Sequence, residues 1–185
     1  PPPPPGVDGF VTNHGTASKS IVTSCSGALA GCDCWKAVDG EMLFNDAGKA
    51  QGWDTKTQDG VGWLEIDLGS SEPKTPVTKF GVYSVSKVDD NQWFPVHNPA
   101  GVALLSRSSL TAPWKVLVNT TVTPDPETGS NVLTGWPAAD GHGRYFRFEI
   151  WSRAKPNSYS HSYIKEVQFG HAPPQWATAA SAAAT

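Results

Sequence analysis

Apolar and polar residues alternate with a period of two along several stretches of the chain, the spacing at which a strand turns successive side chains to opposite faces. Over residues 63–68, Leu64, Ile66 and Leu68 share one face while Trp63, Glu65 and Asp67 share the other. The alternation returns over 144–151, with Phe146, Phe148 and Ile150 set against Tyr145, Arg147, Glu149 and Trp151. Residues 77–85 read as a further strand, with Phe80 and Val82 on one side and Tyr83 on the other; 102–106 and 114–118 read as two more, joined by a turn at 108–113. Residues 21–23 are expected to open the first strand, 164–170 to form the last, and 32–39 to make a short helical turn into Asp39-Gly40. Gly- and Pro-rich loops separate these runs, and 89–101 is expected to be irregular because Pro95 and Pro99 cannot serve a central strand. No long helical period and no internal repeat is visible. The pattern predicts an all-β fold, an antiparallel β-sandwich.

A chain of 185 residues suits one domain, large enough to bury a core without help from disulfides or metal. Its ends differ in composition from the rest. Residues 1–9 are a Pro-rich linker whose opening proline run favours polyproline II, and 172–185 are an Ala/Ser/Thr-rich tail or linker with little area to bury. The folded domain is therefore expected over 10–171, as one module of a larger extracellular protein. Such ends are also similar to the stalks of hydroxyproline-rich glycoproteins in plant and algal walls.

Lys and Arg number 14 against 17 Asp and Glu, a net charge of −3, and no stretch gathers the basic residues into a patch. Nucleic acid and anionic membranes have no electrostatic footprint here, and no apolar run reaches the ~20 residues of a membrane span. Asn119-Thr-Thr121 is an N-glycosylation acceptor sequence. Three cysteines, Cys25, Cys32 and Cys34, fall close together. A zinc site would want four ligands, and His14, the nearest histidine in sequence, is not placed to complete one. A local disulfide from Cys25 to Cys32 or to Cys34 is expected instead, leaving one odd thiol, free or paired with another chain.

Catalytic patterns are lacking. No Gly-x-Ser-x-Gly elbow and no phosphate loop is present, and His14, His97, His142, His161 and His171 have no evident nucleophile and orienting acid. Glycan hydrolysis would need two carboxyl groups at a set separation, one with a raised pKa. Glu65 and Asp67 share a strand face, but Glu65 reads more simply as an exposed strand residue. The chain is not expected to be an enzyme.

Taken in order, an Asp39-Gly40 turn, Trp63-Leu-Glu-Ile-Asp67-Leu-Gly69, Arg144-Tyr-Phe-Arg147 and Glu166-Val-Gln-Phe-Gly170 resemble the discoidin, or coagulation factor 5/8 type C, family. That family overlaps the family 32 carbohydrate-binding modules and shares their galactose-binding-like jelly roll. The resemblance spans roughly residues 18–170. It implies that Asp67 is structural and that a calcium ion sits at the Asp-Gly turn, a hard cation that accepts mixed carboxylate and carbonyl ligands. Transferred to this chain, Asp39 and Glu166 supply carboxylates and Lys36 and Glu41 supply carbonyls. The insertion at 42–51 departs from the family and leaves Asn45, Asp46 or neither as a further ligand. The other reading of these residues has Asp39 capping the turn through its own backbone and Glu166 paired with Lys or Arg.

The resemblance further implies that loops at one end of the sandwich hold the ligand. Sugars present a C–H face to an aromatic ring and a polar rim to hydrogen-bonding groups. Trp93, Phe94, His97 and Asn98, followed by Arg107, are the preferred ligand-binding residues, although this loop lacks the arginines of fucose- and galactose-binding relatives. Trp53, Tyr159 and His161 are further candidates, with Trp136, Tyr163 and His14 behind them. The expected function is glycan or glycoprotein binding by a calcium-stabilised lectin-like module outside the cell, at the cell surface or in a cell wall. The alternative is a structural module that binds neighbouring protein chains in a Pro-rich assembly.

Overall fold

The computed structural model describes residues 18–40, 52–55, 61–69, 77–84, 98–123, 130–134, 141–153 and 162–170. Their strands are β1 (Val22–Cys25), β2 (Trp53–Asp54), β3 (Gly62–Asp67), β4 (Lys79–Tyr83), β5 (Pro99–Arg107), β6 (Lys115–Thr121), β7 (Ser130–Thr134), β8 (Tyr145–Arg153), β9 (Tyr163–Ile164) and β10 (Glu166–Gly170). A five-stranded sheet runs β1-β3-β8-β5-β6, a three-stranded sheet runs β10-β4-β7, and β2 pairs with β9. Every pairing is antiparallel.

The sheets close on the apolar faces that the alternation marks. Leu64 and Ile66 of β3, Phe146, Phe148 and Ile150 of β8, and Val102 and Leu104 of β5 are buried against Phe80 and Val82 of β4 and Val167 and Phe169 of β10. Aromatic contacts bridge the layers: Phe80 and Phe148 have ring centroids 5.7 Å apart, and Phe146 and Phe169 are 4.9 Å apart. Each such pair adds about 0.5–1.5 kcal/mol beyond the area it buries.

Differences from the sequence reading are local. A turn of helix at Ser18–Ile21 precedes β1, so that strand begins at Val22. The helical turn before Asp39 is a 3-10 segment, Cys34–Val38, three of whose residues are buried. β5 begins at Pro99, inside the stretch expected to be irregular. Proline is tolerated there because it is the strand's first residue, where no ladder hydrogen bond need be donated. The short strands β2 and β9 carry too few residues to show a period, and sequence alternation did not reveal them or β7.

Register fixes which connections share an end of the sandwich. Pro99 lies opposite Arg153, Gly101 opposite Thr121, Gly62 opposite Ile150, and Tyr83 opposite both Ser130 and Glu166. Segments 56–60, 85–97, 124–129 and 154–161 are therefore all bounded by strand residues of one end. At the opposite end Asp67 and Arg107 both lie opposite Tyr145, and Lys79 lies opposite Thr134 and Gly170.

Candidate functional site

The Asp-Gly turn is built where the 3-10 segment meets the last strand. Gly40 has φ of +89°, a conformation that a side-chain-bearing residue rarely adopts, and its N–H donates to Glu166 Oε2 at 3.1 Å. Glu166 is fully buried and Asp39, immediately before the turn, is 6% exposed. Both carboxylates are withdrawn from water around one turn, and a carboxylate so buried is kept only where the protein partners it, as both of these are. Lys36 sits in the 3-10 segment and directs its Nζ at the Gly31 carbonyl, 2.6 Å away. Glu41, Asn45 and Asp46 lie outside the described residues. Among the described residues no group of three or more His, Cys, Asp or Glu comes together as a metal cluster.

Beside this turn Cys25 is bonded to Cys34, which ties the end of β1 to the 3-10 segment. Cys32 is the free thiol, partly buried. Burial first, then the Asp54 carboxylate, pushes it above the ordinary thiol range, so little of it is the reactive thiolate at neutral pH.

Of the ligand-binding candidates, Trp93, Phe94, His97, Tyr159 and His161 lie outside the described residues, as do His14 and Trp136. Asn98 is 1% exposed at the loop-bearing end, next to Pro99. Two candidates move away from it. Trp53 is not a loop residue: it lies on β2 with no exposure, its indole N–H donating to the Gly27 carbonyl at 2.8 Å and its ring edge against Phe148. It is a core side chain with no face left for a ligand. Arg107 ends β5 eight residues after Pro99, about 26 Å away along an extended strand. It cannot share a site with Asn98, and it is engaged where it stands: its guanidinium lies 4.1 Å from the Trp114 ring centroid and donates to the Leu110 carbonyl. Tyr163 is buried on β9. Asn119 is exposed on β6, an edge strand of the five-stranded sheet.

The outer face of that sheet carries a line of aromatic and charged groups. Glu65 on β3 faces Arg147 at 3.5 Å and Arg107 at 3.8 Å. Arg147 lies over the Trp63 ring at 4.4 Å and pairs with Glu149 at 2.9 Å. Asp67 accepts both arms of the Arg144 guanidinium, at 2.6 and 2.8 Å, and the Gly69 N–H at 2.8 Å. The Arg144 bonds hold its carboxyl below the usual carboxylate range. Asp67 thus ties a turn, and Glu65 and Glu149 each meet a guanidinium. The sequence showed these residues to share a face, but not that β3 and β8 stand side by side in this register.

The architecture is the galactose-binding-like β-sandwich. No protein-family model matches the chain, and no curated protein matches it in sequence. Solved structures of the same fold include the family 32 carbohydrate-binding module of NanJ from C. perfringens, in complex with galactose. It is 10% identical, with a TM-score of 0.57 over 88% of this chain and 98% of that one. A further family 32 module from Clostridium perfringens, in complex with GalNAc-β-1,3-galactose, is 9% identical, with a TM-score of 0.58 over 83% of this chain and 96% of that one. Chitosan-binding module 1 of a chitosanase/glucanase from Paenibacillus sp. IK-5 is 17% identical, with a TM-score of 0.53 over 79% and 91%.

Proposed function

We propose that the chain is a non-catalytic glycan-binding module of an extracellular, cell-surface or cell-wall protein, stabilised by calcium. The observation that carries this is topological: four interstrand segments are bounded at one end of a sandwich whose fold is that of galactose- and chitosan-binding modules. Segments 85–97 and 154–161 hold Trp93, Phe94, His97, Tyr159 and His161, an aromatic and hydrogen-bonding set suited to a pyranose. Their anchors, Pro99 and Arg153, are register partners, which supports one shared site. The described carboxylates of the outer face are engaged with guanidinium groups, which suits binding better than acid–base chemistry.

The calcium reading rests on Asp39 and Glu166 as carboxylate ligands, with the carbonyls of Lys36 and Glu41 completing the set. Such an ion would join the Asp-Gly turn to the last strand and steady the loop-bearing end. The test is a glycan array followed by calorimetry with galactose-, fucose- and wall-type sugars. Saturable binding is expected, and no heat of binding at millimolar sugar would sink the reading in favour of a module that binds protein chains.

A further inference from the structure

On the outer face of the five-stranded sheet, Trp63 and Trp151 flank a shallow groove of about 390 Å³, within the usual range of about 300–1,000 Å³ for small-molecule sites. Trp63 lies opposite Glu149 on the neighbouring strand, and Trp151 follows Glu149 by two residues on the same face. The two tryptophans are therefore diagonal neighbours, with backbone positions about 7–8 Å apart.

Each indole is held. A Cβ at Gly101 would lie 2.5 Å from both fused carbons of Trp151, so the ring rests on the bare glycine backbone and could not lie there over any other residue. Trp151 is nonetheless 43% exposed, an aromatic platform lying along the sheet with a side left to water. Arg147 lies over the Trp63 ring, 4.4 Å from its centroid, and Trp63 lines the groove. The charged groups of the groove are the paired Arg147 and Glu149, a donor and an acceptor side by side, and the Ser26 hydroxyl, which accepts from the Trp63 backbone N–H, also lines it. Opposite charges cancel there, since Glu65 beside Arg147 is itself met by Arg107, and a cluster of two guanidinium groups and two carboxylates gives an anionic ligand no net attraction. Hydroxyls, which donate and accept at once, match such a pair.

We propose that this groove is a glycan-contacting surface of its own, taking a neutral pyranoside chain with a sugar ring stacked on Trp151 and hydroxyls on Glu149 and Arg147. The proposal rests on the glycan-binding reading and adds a site outside the loops that reading invokes. Trp151 lies two residues before Arg153, which places the groove on the half of the sheet nearer the loop-bearing end.

The test is titration of the ¹⁵N-labelled full chain with lactose, cellotetraose, xylotetraose and chitotetraose, reading affinity and the tryptophan indole N–H resonances. For a tetrasaccharide that binds, Trp151→Ala is expected to weaken affinity about tenfold or more, as loss of a stacking anchor does. Glu149→Gln, which preserves shape, is expected to weaken it about fivefold to tenfold. The far-UV spectrum and Tm of Trp151→Ala, a half-exposed position, are expected to stay near wild type. Unchanged tetrasaccharide affinity in both variants, with Trp93→Ala abolishing binding, would overturn the groove and leave the loop site standing. No sugar bound by the wild-type chain would overturn both. A decaproline peptide moving the Trp63 and Trp151 resonances where no sugar does would overturn the proposal in favour of a protein ligand.

Discussion

Replacing Asp67 by Asn keeps an acceptor for the Gly69 N–H but removes the charge that two arms of Arg144 grip at 2.6 and 2.8 Å. Charge-assisted bonds of this kind contribute about 1.5–3 kcal/mol when dry. Water screens this pair, since the Arg144 side chain is 43% exposed and that of Asp67 is 22% exposed, so the loss expected for Asp67→Asn is about 0.5 to 1 kcal/mol. For a domain of this size that lowers Tm by about 1–4 °C. The sign with pH follows from the depressed carboxyl. Folding favours the ionised form, so the stabilisation is complete above the unfolded carboxylate value of about 4 and disappears as pH falls through the lower folded value. Urea unfolding of wild type and variant at pH 7 and at successive steps below pH 4 is the assay. The two midpoints should converge as the acid limit is approached, and Arg144→Met added to Asp67→Asn should cost little more at neutral pH. A difference that persists unchanged to pH 2 would refute the ion pair as its source.

Trp53→Phe should destabilise the fold by about 2 kcal/mol, from a smaller ring and an unsatisfied Gly27 carbonyl, with sugar affinity per folded molecule unchanged by calorimetry. Cys25→Ser opens a loop of sequence separation 9 and should cost about 2.5 kcal/mol in chemical unfolding. Alkylation of the unreduced, denatured wild type should label one thiol per chain, Cys32, by mass spectrometry. Calcium at about a hundred times its Kd should stabilise the chain by about 2.7 kcal/mol in thermal melts, and EDTA should reverse the effect. Glu166→Gln should remove that calcium response, whereas a response equal to wild type would discard Glu166 as a ligand.

Part of this protein is legible in its sequence because the relevant physics is local. Alternation with a period of two assigns Leu64, Ile66, Phe146 and Phe148 to the core and Trp63, Glu65, Arg147, Glu149 and Trp151 to the outer face, whatever the strands pair with. An Asp placed two residues before a Gly at a strand's end carries its own turn, and Asp67 makes that bond. Cysteines within ten residues point to a local bridge, though not to which partner Cys25 takes.

Only tertiary structure could decide what depends on neighbours distant in the chain. Trp53 gives no periodic signal because its strand has two residues, and its burial depends on Phe148 and Gly27. Arg107 reads as the neighbour of Asn98 in sequence, but an extended strand carries it to the far end of the sandwich. Trp63 and Trp151 become one surface because β3 lies against β8 in a register that sets Trp63 opposite Glu149. Side-chain direction is inherited along one strand; adjacency between strands is set by the closing of the whole core.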